Sequence, residues 1–162
     1  MGRDKALMEH PAGGTLLERA AQLLETVLEP PILLSGDGAR YQDFAYPEIA
    51  DAKSDCGPLG GILAALEHSD PAPVLIMAVD MPHVTEADLR SLLESQGPSL
   101  TLAHGAERLH PALSIWDSST RVHLREALNA GRYALMPLVE ALAPVQVELP
   151  VEHLSNWNKP QD

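Results

Sequence analysis

The feature that most constrains this chain is the apolar run from Val74 to Val79, which ends directly in Asp80. A run this short is typical of a strand, and apolar side chains at every position are typical of a parallel strand that is covered on both faces. Strand-like and helix-like segments alternate on either side of it. We therefore predict a three-layer α/β/α architecture with a mainly parallel sheet, and one domain over residues 1–162.

Local signals place the helices around this strand. Thr15 followed by Glu18 forms a capping box, and Thr85 followed by Asp88 repeats the pattern. Between these two, Pro58 is suited to the first turn of another helix, where its missing N–H costs little. Ligands of parallel sheets bind at the carboxyl ends of strands, so the end of the Val74–Val79 strand is where we expect a ligand.

Charge and composition exclude several functional classes. The chain has 11 Lys and Arg against 23 Asp and Glu, a net charge of -12, and only 4% aromatic residues. Such a chain should repel nucleic acid and offers few rings on which bases could stack. No apolar run reaches the roughly 20 residues of a membrane span. The single cysteine, Cys56, excludes an internal disulfide, so we expect a reducing, cytoplasmic location and no nucleic-acid or membrane partner.

Two patterns are suited to holding a nucleotide or metal ion. Asp80, at the end of a buried strand, could bind a hard cation such as Mg2+, or it could simply cap the following turn. The glycine-rich segment from Asp55 to Gly61 could let backbone amides approach a ligand, or it could be only a tight turn.

Two further patterns lie near the ends of the sequence. Lys5, among turn residues, could meet a phosphate as a point charge, or it could be an ordinary exposed lysine. Asn156 and Asn158 alternate in an extended segment and offer paired amide groups, or they belong to a solvated tail.

Taken together and in order, these stretches resemble the molybdenum cofactor guanylyltransferases of the nucleotidyltransferase superfamily. The matching segments are MGRDKAL, DCGPLGGILAAL, VDMP, the His110-Pro111 pair and NWNKPQD. The family patterns to which they correspond are RMGxDK, GPLxG, a strand ending in DxP, HP before an apolar strand, and NxNTPxD.

The resemblance implies a Rossmann-like nucleotidyltransferase fold that moves GMP from GTP to molybdopterin and releases pyrophosphate. It implies a catalytic pair, in which Lys5 contacts the phosphates and Asp80 binds Mg2+. It also implies a wider set of contacts. Asp51, Gly57, Pro58 and Leu59 would belong to the nucleotide site, Asn156 and Asn158 to the molybdopterin site, and Ser35 and His110 would be weaker matches.

Two departures from the family pattern accompany the resemblance. The family places a strand and a glycine-rich LAGGxSxR loop before the lysine segment, whereas this sequence begins at Met1, so we expect a sheet that lacks its first strand and main phosphate cradle. Lys159 stands where the family has threonine.

Three alternatives therefore stay open. The first is the same fold acting with CTP or on another phosphorylated acceptor. The second is a non-catalytic nucleotide-binding homologue. The third is an interaction module that binds a molybdoenzyme or a cofactor-carrier protein.

Overall fold

The apolar segments of the sequence become strands and helices in the computed structural model, which describes residues 4–157. Their strict alternation is an expectation that the structure corrects, because β1 and β2, β4 and β5, and α4 and α5 follow one another directly. The helices in this part of the chain are α1 (Leu16–Glu25), α2 (Pro58–Ser69), α3 (Glu86–Glu94), α4 (Arg121–Asn129) and α5 (Leu135–Ala141). The strands are β1 (Leu34–Gly36), β2 (Glu48–Ala50), β3 (Val74–Met77), β4 (Leu100–Gly105), β5 (Arg108–Trp116) and β6 (Val145–Glu148). Short 3-10 turns cover Lys5–Leu7 and Ser118–Thr120.

The strands form two sheets. One has two strands, β1 and β2, which pair in parallel; the other has four strands in the order β3-β5-β4-β6. Within the larger sheet β4 and β6 are parallel, whereas β5 runs antiparallel to both of its neighbours. The antiparallel pairing follows from a tight connection at Ala106 and Glu107, both with positive φ, which turns β4 back into β5.

Helices cover both faces of the larger sheet, which confirms the predicted three-layer α/β/α class. Residues of α2, α4 and α5 pack on one face around Trp116, Leu100 and Leu102. Residues of α1 and α3 pack on the other face around Leu113 and Ile115. Removing these apolar side chains from water is the main favourable term in the stability of the fold.

Both predicted capping boxes are present and fix the starts of α1 and α3. The Thr15 hydroxyl accepts from the backbone N–H of Glu18, and the Glu18 carboxylate accepts from the backbone N–H of Thr15. Thr85 and Asp88 make the same exchange. At α2, Pro58 occupies the first turn as expected, and no side chain caps this helix.

Strand β3 differs from expectation in its burial. All four of its residues are only half-buried, although the sequence predicts cover on both faces. The reason is that, among residues 4–157, β3 pairs with β5 alone, and its other edge faces a cleft. Within residues 4–157 no helix is both long enough and apolar enough to cross a membrane.

Candidate functional site

A cleft of about 1520 Å³ separates the two sheets. Strand β1 and the residues before it form one wall, and β3 forms the opposite wall. Side chains of α1 line it on one side and residues of α2 line it on the other. Much of its lining is apolar. Ser35, Asp51, Lys5 and Asp80 form a polar end beyond the ends of β1 and β3, and further charged side chains, among them Glu29 and Arg108, line other parts of it.

Lys5 and Asp80 meet at this polar end although 75 positions separate them in the sequence. Lys5 Nζ donates to Asp80 Oδ2 over 3.0 Å, with the lysine side chain 42% exposed and the aspartate side chain 18% exposed. The turn that carries Lys5 is fixed by Asp4, whose carboxylate accepts from the backbone N–H of Ala6. A cation and a carboxylate therefore lie side by side at the mouth of an open cleft.

The other wall carries a second polar pair. Ser35 Oγ donates to Asp51 Oδ1 over 2.7 Å, which joins the end of β1 to the residue after β2. Both side chains lie against Gly61 in the first turns of α2. A Cβ at position 61 would stand 3.2 Å from Asp51 Oδ1 and closer still to Ser35 Oγ, so this glycine is what lets the helix approach the pair.

The glycine-rich turn before α2 is held in shape by its own residues. Gly57 has a φ of 63°, and Asp55 has a φ of 58°. Cys56 is buried, and its thiol donates to the carbonyl oxygen of Lys53 over 2.8 Å. Cys56 is therefore a packing residue at this turn, in line with its sequence context.

The residues proposed for the guanine pocket occupy different positions around that turn. Pro58 lines the cleft, whereas Gly57 is exposed at the helix start. The Leu59 side chain is fully buried in the core cluster beneath α2. Only the backbone of Leu59 is left to face a ligand, so a guanine contact at these residues stays a prediction.

The C-terminal segment approaches the backbone of Asp80 from another direction. The backbone N–H of Trp157 donates to the carbonyl oxygen of Asp80 over 2.7 Å, and the Trp157 ring packs edge-on against His10. This bond places exposed Asn156 next to the strand end that carries Asp80. Asn158 lies outside the described residues.

His110 lies at the start of the long strand β5, next to cleft-lining Leu109 and Pro111. Burial lowers the pKa of His110, and the positive charge of Arg108 lowers it further. The ring is therefore neutral at neutral pH, and its role at the second substrate stays a prediction.

Sequence reasoning missed a group of side chains that order the loop between β1 and β2. The Glu48 carboxylate accepts from the backbone N–H groups of Gly38 and Tyr41. Tyr41 lines the cleft, its hydroxyl donates to Asp4 over 3.2 Å, and burial raises the pKa of Tyr41, with the Asp4 charge adding to the effect. No periodic pattern marks these residues in the sequence, because their partners are brought together only by the fold.

The polar end offers carboxylates, the ligands that a hard divalent cation prefers. Among residues 4–157, no three His, Cys, Asp or Glu side chains come together as a ready-made metal cluster. Mg2+ does not require one, because it is usually bound by one or two carboxylates together with water and substrate phosphates. The partly exposed Asp80 carboxylate in the open cleft fits that pattern.

Comparison with known proteins finds a sequence family that matches most of the chain. The model of a family described as the MobA-like NTP transferase domain matches residues 1–145. A molybdenum cofactor guanylyltransferase of Rhodopseudomonas palustris is 34% identical over 99% of this chain and 81% of its own length. One of Serratia proteamaculans is 32% identical over 86% of this chain and 72% of its own length.

Solved structures support the fold alone. Molybdopterin-guanine dinucleotide biosynthesis protein A of Archaeoglobus fulgidus superposes with a TM-score of 0.78 at 20% identity, covering 98% of this chain and 86% of its own. The 2-C-methyl-D-erythritol 4-phosphate cytidylyltransferase of Thermus thermophilus superposes with a TM-score of 0.68 at 19% identity, covering 97% and 89%.

Proposed function

Because the chain belongs to the MobA-like NTP transferase family, a family of nucleotidyltransferase enzymes, we propose that it transfers GMP from GTP to molybdopterin. The products are molybdopterin guanine dinucleotide and pyrophosphate. The observation that carries this proposal is the pairing of Lys5 with Asp80 at the open, polar end of the cleft, opposite Ser35 and Asp51.

The reaction is an in-line exchange of phosphate bonds. A phosphate oxygen of molybdopterin attacks the α-phosphorus of GTP, the bond from that phosphorus to the α,β-bridging oxygen breaks, and pyrophosphate leaves with the electron pair. Such a transfer depends on positioning and on stabilising charge on the phosphates, and it needs no covalent intermediate on the protein.

The charge of the chain makes the local cations essential. With a net charge of -12, the molecule as a whole repels a triphosphate. Lys5 supplies a positive point charge at the polar end of the cleft, where we place the triphosphate. Mg2+ bound through Asp80 would neutralise phosphate charge at the same place.

The remaining site residues have positioning roles in this proposal. Asp51 and Pro58 would border the nucleoside, with Gly57 and Leu59 contributing backbone atoms. Asn156 and Asn158 would contact molybdopterin and its phosphate from the C-terminal segment. A cytoplasmic location, where GTP is abundant, belongs to the same proposal.

The test is pyrophosphate release by the purified chain with GTP, Mg2+ and molybdopterin, compared between wild type, Asp80→Asn and Glu94→Gln. We expect Asp80→Asn to lose about 100-fold or more in rate, because one carboxylate carries the metal. Glu94→Gln should match wild type, since Glu94 is an exposed carboxylate on α3 that does not line the cleft. Equal rates in all three proteins would contradict the role of Asp80.

A second arm addresses the base. Wild-type protein is titrated with GTP or CTP in the presence of Mg2+, and the shift in unfolding midpoint is recorded. A larger stabilisation by CTP would overturn the choice of guanine. Binding of GTP by wild type without pyrophosphate release would identify the chain as a non-catalytic nucleotide-binding homologue.

A further inference from the structure

Residues 149–157, the last part of the described chain, carry Asn156 and contain no helix or strand. Residues 151–154 form a turn, in which the backbone N–H of Leu154 donates to the carbonyl oxygen of Val151 over 3.1 Å. The Leu154 side chain is buried in the core beneath α1 and α3. Because backbone outside helices and sheets keeps its order only through contacts with its surroundings, the attachments of this segment decide where Asn156 lies.

His153 attaches the segment to the first turn of α3. Its Nδ1 atom lies 2.9 Å from Asp88 Oδ2, with the aspartate side chain only 7% exposed and the histidine side chain 29% exposed. Among residues 4–157 the buried Nδ1 atom meets no aligned hydrogen-bond partner, so the link to Asp88 is a close electrostatic contact. The ring turns a positive N–H edge toward a carboxylate, which offsets part of the cost of burying that charge.

Asp88 joins this contact to the segment that follows Asp80. Its Oδ2 atom also accepts from the backbone N–H of Thr85 over 2.8 Å and from the Thr85 hydroxyl over 2.7 Å. Thr85 is the N-cap of α3 and comes shortly after Asp80 in the chain. One buried carboxylate therefore fixes the start of α3 and meets the C-terminal segment as well.

A second attachment lies on the other side of Asn156. The backbone N–H of Trp157 donates to the carbonyl oxygen of Asp80 over 2.7 Å, and the Trp157 side chain is buried. His153 and Trp157 thus bracket exposed Asn156, one at the start of α3 and the other just beyond the end of β3. The two links hold this stretch beside Asp80.

We propose that His153 is a positioning residue for the second substrate: through Asp88 it keeps residues 153–157 where Asn156 can contact a phosphorylated pterin beside Asp80. This inference rests on the proposed function and adds a residue that acts through another. Without the contact, the segment is in place for only a fraction of the time, and the apparent affinity for the pterin falls by that fraction. GTP, which we place at Lys5 and the start of α2, does not depend on this attachment.

The test is equilibrium binding to the full chain, measured separately for molybdopterin and for GTP with Mg2+ by anaerobic ultrafiltration. We expect His153→Ala to weaken molybdopterin binding about tenfold and to change GTP binding less than about twofold. Acrylamide quenching of tryptophan fluorescence should increase in the same variant. Of the two tryptophans, Trp157 loses its cover when the segment is released, whereas Trp116 stays fully buried in the core.

Matched variants separate positioning from a general loss of stability. Glu152→Ala removes an exposed side chain from the same turn and should leave both affinities unchanged. Thr85→Ala removes the hydroxyl that caps α3, but Asp88 keeps the Thr85 N–H and its contact with His153, so molybdopterin binding should change less than about twofold. Asp88→Asn should weaken molybdopterin binding, and adding His153→Ala to it should cause little further loss, because the two side chains act as one pair.

Unchanged molybdopterin binding by His153→Ala would overturn the inference. An equal loss of GTP binding, or an equal effect of Thr85→Ala, would overturn it too, since either would indicate a purely structural role. Unchanged quenching would show that the segment stays in place without His153, and independent losses in the double variant would contradict the pairing with Asp88.

A different readout judges the proposed function. Absence of pyrophosphate release by the wild-type chain would refute the transfer reaction, while the ratio of binding constants between wild type and His153→Ala would still decide the role of His153. A wild-type chain that does not bind molybdopterin would refute both.

Discussion

Replacing Gly61 by alanine should destabilise the wild-type protein but stabilise the Ser35→Ala variant. Gly61 lies in the first turns of α2, against Ser35 and Asp51. The added Cβ would meet Ser35 Oγ at a distance that real Cβ contacts essentially never show, and Asp51 Oδ1 at 3.2 Å. The Ser35 hydroxyl must rotate away, and its 2.7 Å hydrogen bond to Asp51 is lost.

The magnitude follows from opposing effects. Alanine in place of glycine inside a helix contributes up to about 1 kcal/mol of stability. Loss of a hydrogen bond to a charged group and local overpacking each cost about 1 to 3 kcal/mol, at the low end here because the pair is partly exposed. We expect Gly61→Ala to lower the free energy of unfolding by about 1 kcal/mol in wild type. In Ser35→Ala, where the hydroxyl is absent, the same change should raise it by about 0.5 kcal/mol.

The assay is urea unfolding of the four proteins of this double-mutant cycle, with each free energy taken by linear extrapolation. Gly60→Ala is the matched control. Its Cβ would lie 2.5 Å from Cys56 Sγ and 2.9 Å from the Lys53 carbonyl oxygen, and only in ordinary contact, at 3.4 Å, with Asp51 Cβ, so it does not meet the Ser35 hydroxyl. Gly60→Ala should therefore be destabilising by the same amount in both backgrounds. The reasoning is refuted if Gly61→Ala changes stability with the same sign with and without the serine hydroxyl.

Three further measurements test other parts of the structure. Thr85→Ala should lower the free energy of unfolding by about 1 kcal/mol through loss of the capping box, and an unchanged urea midpoint would contradict this. Glu48→Gln should weaken the bonds to Gly38 and Tyr41, cost about 1 to 2 kcal/mol and increase proteolysis of the β1–β2 loop, whereas loop cleavage at the wild-type rate would count against it. The pKa of His110 in the folded protein lies below its ordinary value of 6.5, so the stability that the residue contributes is complete above pH 6.5 and is lost as the pH falls through the folded-state pKa. His110→Asn should therefore lose less stability than wild type over that pH range. Parallel profiles of stability against pH for the two proteins would refute the assignment.

Short-range signals in the sequence were sufficient for several of the elements. The Thr15 and Thr85 capping boxes begin helices because the bonds involved span only three residues. The apolar run at Val74 becomes a strand with Asp80 just beyond its end. The resemblance then identified the nucleotidyltransferase family, and the α/β class follows from the alternation of these elements.

Contacts between distant segments could not be predicted in this way. No local pattern around Lys5 predicts that its ammonium group lies 3.0 Å from the Asp80 carboxylate. The Tyr41 hydroxyl likewise reaches Asp4 only when the β1–β2 loop is folded. The antiparallel direction of β5 is likewise decided by which strand edges meet. The sequence alone determined where α1, α2 and α3 begin, because capping and proline effects are local. Only the tertiary structure decided which side chains share the cleft, because burial and strand pairing join residues that the chain itself keeps far apart.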